Sequence, residues 1–304
     1  MLAGDPRAIA RAISLIEDES PEAAALIRGI YQQTGRAYLI GVTGAPGTGK
    51  STLVDALTSE IRRSGSTVGV VAVDPTSPFT GGAILGDRVR MTGHAADTGV
   101  YIRSMATRGH LGGLSRTTSD AALVLDAAGK DIVIIETVGV GQDEIDIVRT
   151  ADISIVVLVP GTGDDVQAIK AGIMEIADIF VVNKADREGA DRTVQAVAAN
   201  LSLHPFKPGE WKPPIVKTEA NRGVGIDELW RQVARYRAQA ADNRMIRQRE
   251  RQRLRLRDLL SRRLMQRVEA ALPAGEIDRL AERVAAREID PYSAVAEMIA
   301  SSEA

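Results

Sequence analysis

The stretch YLIGVTGAPGTGKSTLVDAL, residues 38–57, decides the fold. It opens on a six-residue apolar run and closes on Leu53, Val54 and Leu57 at helical spacing, with GAPGTGKS between them. That octapeptide satisfies G-x-x-x-x-G-K-[ST] between a strand and a helix. Its glycines let backbone N–H groups turn inward on phosphate oxygens, and the helix N-terminus adds positive potential. Gly44, Ala45, Pro46, Gly47, Thr48, Gly49, Lys50, Ser51 and Thr52 are therefore the candidate phosphate-binding residues. Lys50 is placed to reach β- and γ-phosphates and the Ser51 hydroxyl to ligate Mg²⁺. Chance alone gives this pattern in well under about 1% of chains of this length.

Outward from it the same rhythm repeats. TVGVVAVD, VYIRSM, DIVIIET, ISIVVLVP, IADIFVVN and PPIVKT are short apolar runs, most of them separated by helix-length segments. Continuous apolar strands in this order predict an α/β fold, a P-loop NTPase with a mostly parallel central sheet flanked by helices. Ahead of it, Asp5-Pro6 and Ser20-Pro21 each place a cap residue before a first-turn proline and predict two helices, with Gly35 ending the second. Ile9, Ile13 and Ile16 share a face that needs a packing partner.

Past Tyr236 the composition shifts. Ten arginines from Arg244 to Arg267 face only Glu250 and Asp258, while Leu256, Leu260, Leu264 and Val268 recur at helical spacing. This predicts a long amphipathic helix, broken by LPAG at 272–275, with Asp290-Pro291 capping a last one. The expected organisation is an N-terminal helical extension (1–36), a nucleotide domain (37–236) and a C-terminal helical arm (237–304). The arginines read as a solvated face or packing arm, for no aromatics interleave them as a nucleic-acid surface would require.

Composition narrows the partners. A net charge of −2 gives no global pull toward nucleic acid or anionic membrane, and zero cysteines exclude thiolate metal sites and thiol nucleophiles. No apolar run reaches the roughly 18 residues of a membrane span, and the acid-rich start resembles no targeting peptide. The expected location is cytoplasmic.

A second signature is NKAD, in which Asn183, Lys184 and Asp186 follow the strand IFVV. In N-K-x-D the aspartate accepts from guanine N1–H and its exocyclic amine. A buried Asp186 beside adenine would be left unpaired. Further on, TEANRGVGIDEL offers Thr218, Glu219 and Ala220 as the loop closing over the base, with the Ala220 N–H directed to guanine O6. Glu219 stands where a serine is common. On the metal side, Asp74 ends a strand, Asp87 opens a helix in GAILGDRVRM, and Glu136 ends DIVIIE. Asp74 and Asp87 also suit a turn and a helix cap, whereas a carboxylate at a buried strand end has little use except near a metal. Hard Mg²⁺ keeps several waters, so the longer Glu136 can act through one.

Taken together, GAPGTGKS, VDPTSP, GAILGDRVRM, RGHLGGL, ETVGVGQ and NKAD make the chain resemble, end to end, the SIMIBI-class GTPases of the methylmalonyl-CoA mutase-associated MeaB/ArgK type. The resemblance implies a homodimeric GTPase cycling GTP and GDP on Mg²⁺. Such a protein gates adenosylcobalamin delivery to a cobalamin-dependent acyl-CoA mutase and protects it, with a cobalamin adenosyltransferase as a second partner. It implies Lys50, Asp74, Asp87 and Glu136 as catalytic, with Ser51, Asp74, Asp87 and Glu136 toward the metal. The base contacts it implies are those of Asn183, Lys184 and Asp186. Asp164 and Lys170 fall in what resembles a third switch, Arg108 is a candidate for transition-state charge, and Gln142 lies too far past Gly139 to equate with a catalytic glutamine. Hydrolysis is expected to be slow until the partner joins. The rival readings are a transport-linked ATPase or kinase and a nucleotide-bound scaffold. A nickel-insertion GTPase would need Cys and His ligands, and His94, His110 and His204 are far apart in sequence.

Overall fold

The computed structural model describes residues 1–74, 92–106, 116–137, 150–161, 176–241 and 244–303. Asp87, Arg108, His110, Gln142, Asp164 and Lys170 lie outside them. The chain divides into two compact units, Met1–Arg244 and Met245–Ala304.

In the first unit, seven strands form one sheet: β1 (Tyr38–Thr43), β2 (Val68–Asp74), β3 (Val100–Ala106), β4 (Ile132–Glu136), β5 (Ile153–Leu158), β6 (Ile179–Asn183) and β7 (Ile215–Thr218). Their order is β3-β2-β4-β1-β5-β6-β7, and every registered pair is parallel. From the central β1 the chain steps out past β4 to β2 and later returns to the other side at β5. That reversal puts the C-terminal ends of β1, β4 and β5 around one crevice, where parallel sheets bind ligands.

Helices cover both faces, which is why β4, β5 and β6 are buried at every position and read as unbroken apolar runs. One face (Ile40, Val42, Ile134, Ile155 and Val181) packs on α3 (Lys50–Arg63) and on α6 (Ile226–Gln239) through Leu53, Leu57, Leu229 and Val233. The opposite face is shared. Val71, Val133 and Ile135 meet α1 (Pro6–Glu17), α2 (Pro21–Ile30) and α4 (Arg116–Ala127), while Val156 and Phe180 meet α5 (Ala190–Ser202). Ile9, Ile13 and Ile16 thus find their partners in the core shared with α4 and the sheet, at 0–2% exposure. Burial of each such side chain stabilises the unit by about 1.5–3 kcal/mol.

Both proline-led helices begin where expected. The Asp5 carboxylate accepts from the Ala8 N–H, and Ser20 Oγ accepts from the Glu22 N–H. The α-helix α2 stops at Ile30 and continues only as a 3₁₀ turn, Tyr31–Gln33, before Gly35. A buried carboxylate then fixes the entry to β1, for Asp126 accepts the backbone N–H groups of Gly35, Arg36 and Ala37 at 2.5, 3.2 and 2.9 Å. On β3, Arg103 pairs with Glu17 and donates to Ser14 Oγ at 3.1 Å, attaching α1 to that strand.

The second unit contains most of α7 (Arg244–Ala271), with α8 (Glu276–Ala285) and α9 (Pro291–Glu303). The break at LPAG and the Asp290 cap are both present, for Asp290 Oδ1 accepts from the Tyr292 and Ser293 N–H groups. The intervening α8 goes beyond the two-helix expectation. It buries Leu280 and follows Gly275 in a left-handed conformation. Leu256, Leu260 and Leu264 on α7 are 66%, 60% and 52% exposed. Among the described residues no helix is long and apolar enough to cross a membrane.

Candidate functional site

The phosphate-binding loop leaves β1 through Gly44, whose φ of +142° suits glycine and whose absent Cβ would sit 2.2 Å from the Val157 carbonyl oxygen. A side chain here would push the loop off β5. The loop runs into α3 through Gly49, at φ +87°. A Cβ on Gly49 would meet Asn183 Nδ2 at 2.6 Å. The missing side chain therefore leaves room for the asparagine of the second signature, and the two motifs interlock.

Asn183 is 2% exposed and occupied on both ends of its amide. Its Nδ2 donates to the Thr48 carbonyl at 2.9 Å, and its Oδ1 accepts from the Thr218 hydroxyl at 3.1 Å and from the Ala220 N–H at 3.2 Å. One side chain at the end of β6 thus braces the phosphate loop against the loop after β7. The Ala220 amide, expected to face a base oxygen, is held by Asn183 here. Lys184, in the left-handed region at φ +54°, extends alongside and donates from Nζ to the Gly47 carbonyl at 2.7 Å. The Ala185 N–H donates to the Thr218 carbonyl at 3.0 Å and sets the turn that presents Asp186.

Asp186 is exposed at the rim rather than buried. A turn at a strand end faces water, so the penalty for leaving this carboxylate unpaired arises only when a base covers it. Glu219 forms a two-way backbone bridge with Val224, and its carboxylate pairs with Arg222 at 2.8 Å. This stiffens the turn that carries Ala220.

At the other end of the loop, Lys50 is 7% exposed, and its Nζ donates to the Gly44 and Ala45 carbonyls at 2.8 and 3.1 Å. The ammonium lies inside the loop, where phosphate oxygens could replace those two carbonyls. The Ser51 hydroxyl donates to Glu136 Oε1 at 2.7 Å, with both side chains buried. The register explains the meeting, because Glu136 sits opposite Val42, two residues before Gly44. Asp74 closes β2 two residues beyond Ala72, which is itself opposite Glu136. Thr52 follows as the half-buried third residue of α3.

The donor set fits a hard divalent cation. The Ser51 hydrogen is committed to Glu136, so the hydroxyl lone pairs can face a metal with a carboxylate beside them. Among the described residues no three His, Cys, Asp or Glu side chains gather as a metal site. His94 is instead bound to α3, with Nε2 3.2 Å from Asp55 Oδ1. Exposed His204 stacks edge-on against Phe206.

Sequence patterns mark Lys50, Ser51, Glu136 and Asn183, but not the bracing role of Asn183. N-K-x-D marks Asn183 as a base reader, but its bonds to Thr48, Thr218 and Ala220 depend on which strands are neighbours. Thr43 and Thr137 meet below the loop; Thr43 precedes GAPGTGKS and Thr137 lies within ETVGVGQ, but neither pattern announces their contact. The only hint is a polar residue closing an apolar run on each of two strands.

Residues 9–273 match the profile of the family described as methylmalonyl-CoA mutase-associated GTPase MeaB. A Pyrococcus abyssi protein assigned as a GTPase by name is 52% identical over 303 residues, spanning 98% of this chain and 93% of its own. The Escherichia coli protein named GTPase ArgK is 42% identical over 236 residues, 75% of this chain and 71% of its own. Among solved structures, one of a LAO/AO transport system kinase superposes with a TM-score of 0.74 at 27% identity, over 100% of this chain and 95% of that one.

Proposed function

The chain belongs to the MeaB family of methylmalonyl-CoA mutase-associated GTPases, and on that premise we propose that it is a GTP-hydrolysing chaperone of a cobalamin-dependent acyl-CoA mutase. The client is methylmalonyl-CoA mutase or a relative, whose adenosylcobalamin loading it gates and whose damaged cofactor it helps to clear. The observation that carries the nucleotide half of this reading is the Asn183 brace, which makes the phosphate loop and the base loop a single site.

In that site the loop amides and Lys50 hold the phosphates, and Asp186 and Lys184 take the guanine edge and plane. Ser51 and Glu136 hold Mg²⁺, with Asp74 and Asp87 as further acids. When bound, Mg²⁺ neutralises charge on the phosphate oxygens. Positioning and charge neutralisation are most of what phosphoryl transfer asks of a protein. Turnover alone is slow, and the mutase accelerates it, with Arg108 supplying transition-state charge and Asp164 and Lys170 relaying nucleotide state. The arm at 237–304 pairs two copies, a cobalamin adenosyltransferase is the second partner, and the protein works in the cytoplasm.

The test is hydrolysis of GTP and of ATP by the purified protein, alone and with cobalamin-dependent acyl-CoA mutases of the same host. Acceleration by one mutase with GTP only is the expected result. Acceleration by none of them would refute the chaperone reading while leaving the GTPase intact. The transport-kinase name of the 27%-identical structure favours a second reading, a transport ATPase or kinase, which predicts preference for ATP. A nucleotide-bound scaffold predicts mutase binding that is indifferent to GDP or GTP.

A further inference from the structure

Thr43 is the last residue of β1, and Thr137 follows the last residue of β4. The Thr137 hydroxyl donates to the Thr43 hydroxyl at 2.8 Å. The Thr137 N–H donates to the Val42 carbonyl at 3.0 Å, carrying the parallel ladder one residue past Glu136. Both side chains are sealed from water, at 0% and 1% exposure.

A hydroxyl pair in such a place needs a reason. Valine has the same branched shape and suits a buried strand equally well, and a buried hydroxyl–hydroxyl bond adds little net stability over two methyl groups. What distinguishes these positions is what adjoins them. Thr43 immediately precedes Gly44, the root of the phosphate loop. Thr137 immediately follows Glu136, whose carboxylate accepts from Ser51, and it leads into 138–149. The bond therefore joins the root of the loop to the residue next to its acidic partner.

We propose that Thr43 and Thr137 are a positioning pair for the metal side of the site. Their bond holds the end of β4 against the phosphate loop, so that Glu136 stays on Ser51. Neither threonine touches the nucleotide; both act through Glu136 and Ser51. The inference rests on the guanine-nucleotide reading of the site, and it gives Thr43 and Thr137 a role that the motif readings above do not.

The experiment compares the parent with Thr43→Val, Thr137→Val, Thr137→Ser and the double valine variant. Calorimetry gives the affinity for GDP and for a non-hydrolysable GTP analogue, each with Mg²⁺ and with EDTA, and thermal unfolding is followed beside it. Thr137→Val is expected to leave affinity in EDTA within about twofold while reducing the Mg²⁺-dependent gain by about tenfold, the scale of one hydrogen-bonded contact. Thr137→Ser keeps the hydroxyl and restores the gain. The double valine variant removes both hydroxyls at constant shape, so it regains the stability that either single variant loses but not the Mg²⁺ response. A pair that only packs predicts that the double variant regains both, and that result would overturn the proposal. The same series run with ATP separates the two readings. A parent that binds ATP alone overturns the guanine assignment, while the pair is still judged on its Mg²⁺ response. A parent that binds neither nucleotide overturns both.

Discussion

Replacing Asn183 with alanine tests the central claim about this site, that one side chain unites two loops. The substitution deletes three hydrogen bonds at a position 2% exposed and strands the Thr48 carbonyl, the Thr218 hydroxyl and the Ala220 N–H. A buried hydrogen bond contributes about 1 kcal/mol net, and a stranded buried polar group costs about 1–3 kcal/mol. Water entering the gap left by the amide recovers part of this, so the expected loss is about 2–4 kcal/mol. In a unit of this size each kcal/mol lowers Tm by roughly 2–4 °C, which gives a fall of about 4–16 °C.

The nucleotide measurement is the sharper one. If the brace aligns both loops, GDP and GTP affinity in calorimetry should fall by about 10²-fold, since about 2.7 kcal/mol of alignment must then come from binding energy. Asn183→Asp sharpens it further. An aspartate keeps an acceptor for Thr218 and Ala220 but turns an acceptor toward the Thr48 carbonyl, so the phosphate loop should loosen while the base loop stays. A variant that loses affinity with stability unchanged would refute the brace and leave Asn183 a base contact only.

Four further outcomes follow from the geometry. Gly49→Ala places a Cβ 2.6 Å from Asn183 Nδ2 at φ +87°, whereas Gly47→Ala at φ +82° meets nothing within 4 Å. Unfolding of the pair should therefore show backbone strain of about 1 kcal/mol for Gly47→Ala and a further loss, with failed GDP binding, for Gly49→Ala alone. Glu136→Gln keeps an acceptor for Ser51 but removes the charge, so a Mg²⁺ titration of hydrolysis should shift by about tenfold with nucleotide affinity in EDTA unchanged. Asp126→Ala strands three N–H groups ahead of β1 and should lower stability by about 3 kcal/mol in urea unfolding, with limited proteolysis opening first before Tyr38. Asp131 accepts from the Thr67 N–H and hydroxyl at 2.7 and 2.8 Å, bonds that hold its carboxyl below the ordinary range. Its folded pKa is depressed, so its contribution is complete above the unfolded value near about 3.9 and is lost as pH falls through the folded value. The stability gap between the parent and Asp131→Asn should therefore be present at pH 7 and close below pH 4, and a gap that widens on acidification would contradict the assignment.

The fold was legible because a parallel sheet buried on both faces leaves a one-dimensional trace. Each strand from β1 to β7 is an apolar run bounded by polar or small residues, and the proline-led caps of α1 and α2 announce themselves in two letters. Strand order leaves no such trace, because β4 lying between β1 and β2 depends on crossovers through helices of similar composition. The same limit applied to the site. GAPGTGKS and NKAD each declare a backbone shape or a reading group, while the contact between Gly49 and Asn183 exists only because β1, β5 and β6 are adjacent. Asp186 was read as buried because its role needs a dry neighbour, and the strand-end turn leaves it in water. The break at LPAG hid α8, whose Ile277, Leu280 and Val284 carry helical spacing over a segment too short to stand out.

The two ends of the sheet use polar side chains for opposite purposes. At the N-terminal edge the residue before a strand is repeatedly an aspartate that grips its neighbour. Asp131 accepts from Thr67 N–H ahead of β2, Asp152 from Leu39 N–H in β1 at 2.9 Å, and Asp178 from Ser154 N–H in β5 at 2.9 Å. Asp152 and Asp178 also donate their own N–H to the carbonyls of Leu39 and Ser154, so each of those two strand starts is locked in both directions. Parallel strands cannot be registered by a tight hairpin, and slipping one by a residue would exchange the side chains it presents to the two helix layers. A charged acceptor at the start of the strand fixes that register with a strong, short-range bond. With register fixed there, the C-terminal edge is free to carry polar contacts that shape the nucleotide site. Lys50 on loop carbonyls, Ser51 on Glu136 and Asn183 on Thr48 are such contacts. Substituting the aspartates should therefore lower stability with little effect on the ratio of GTP to GDP affinity, while changes at Lys50, Ser51 or Glu136 should alter that ratio first.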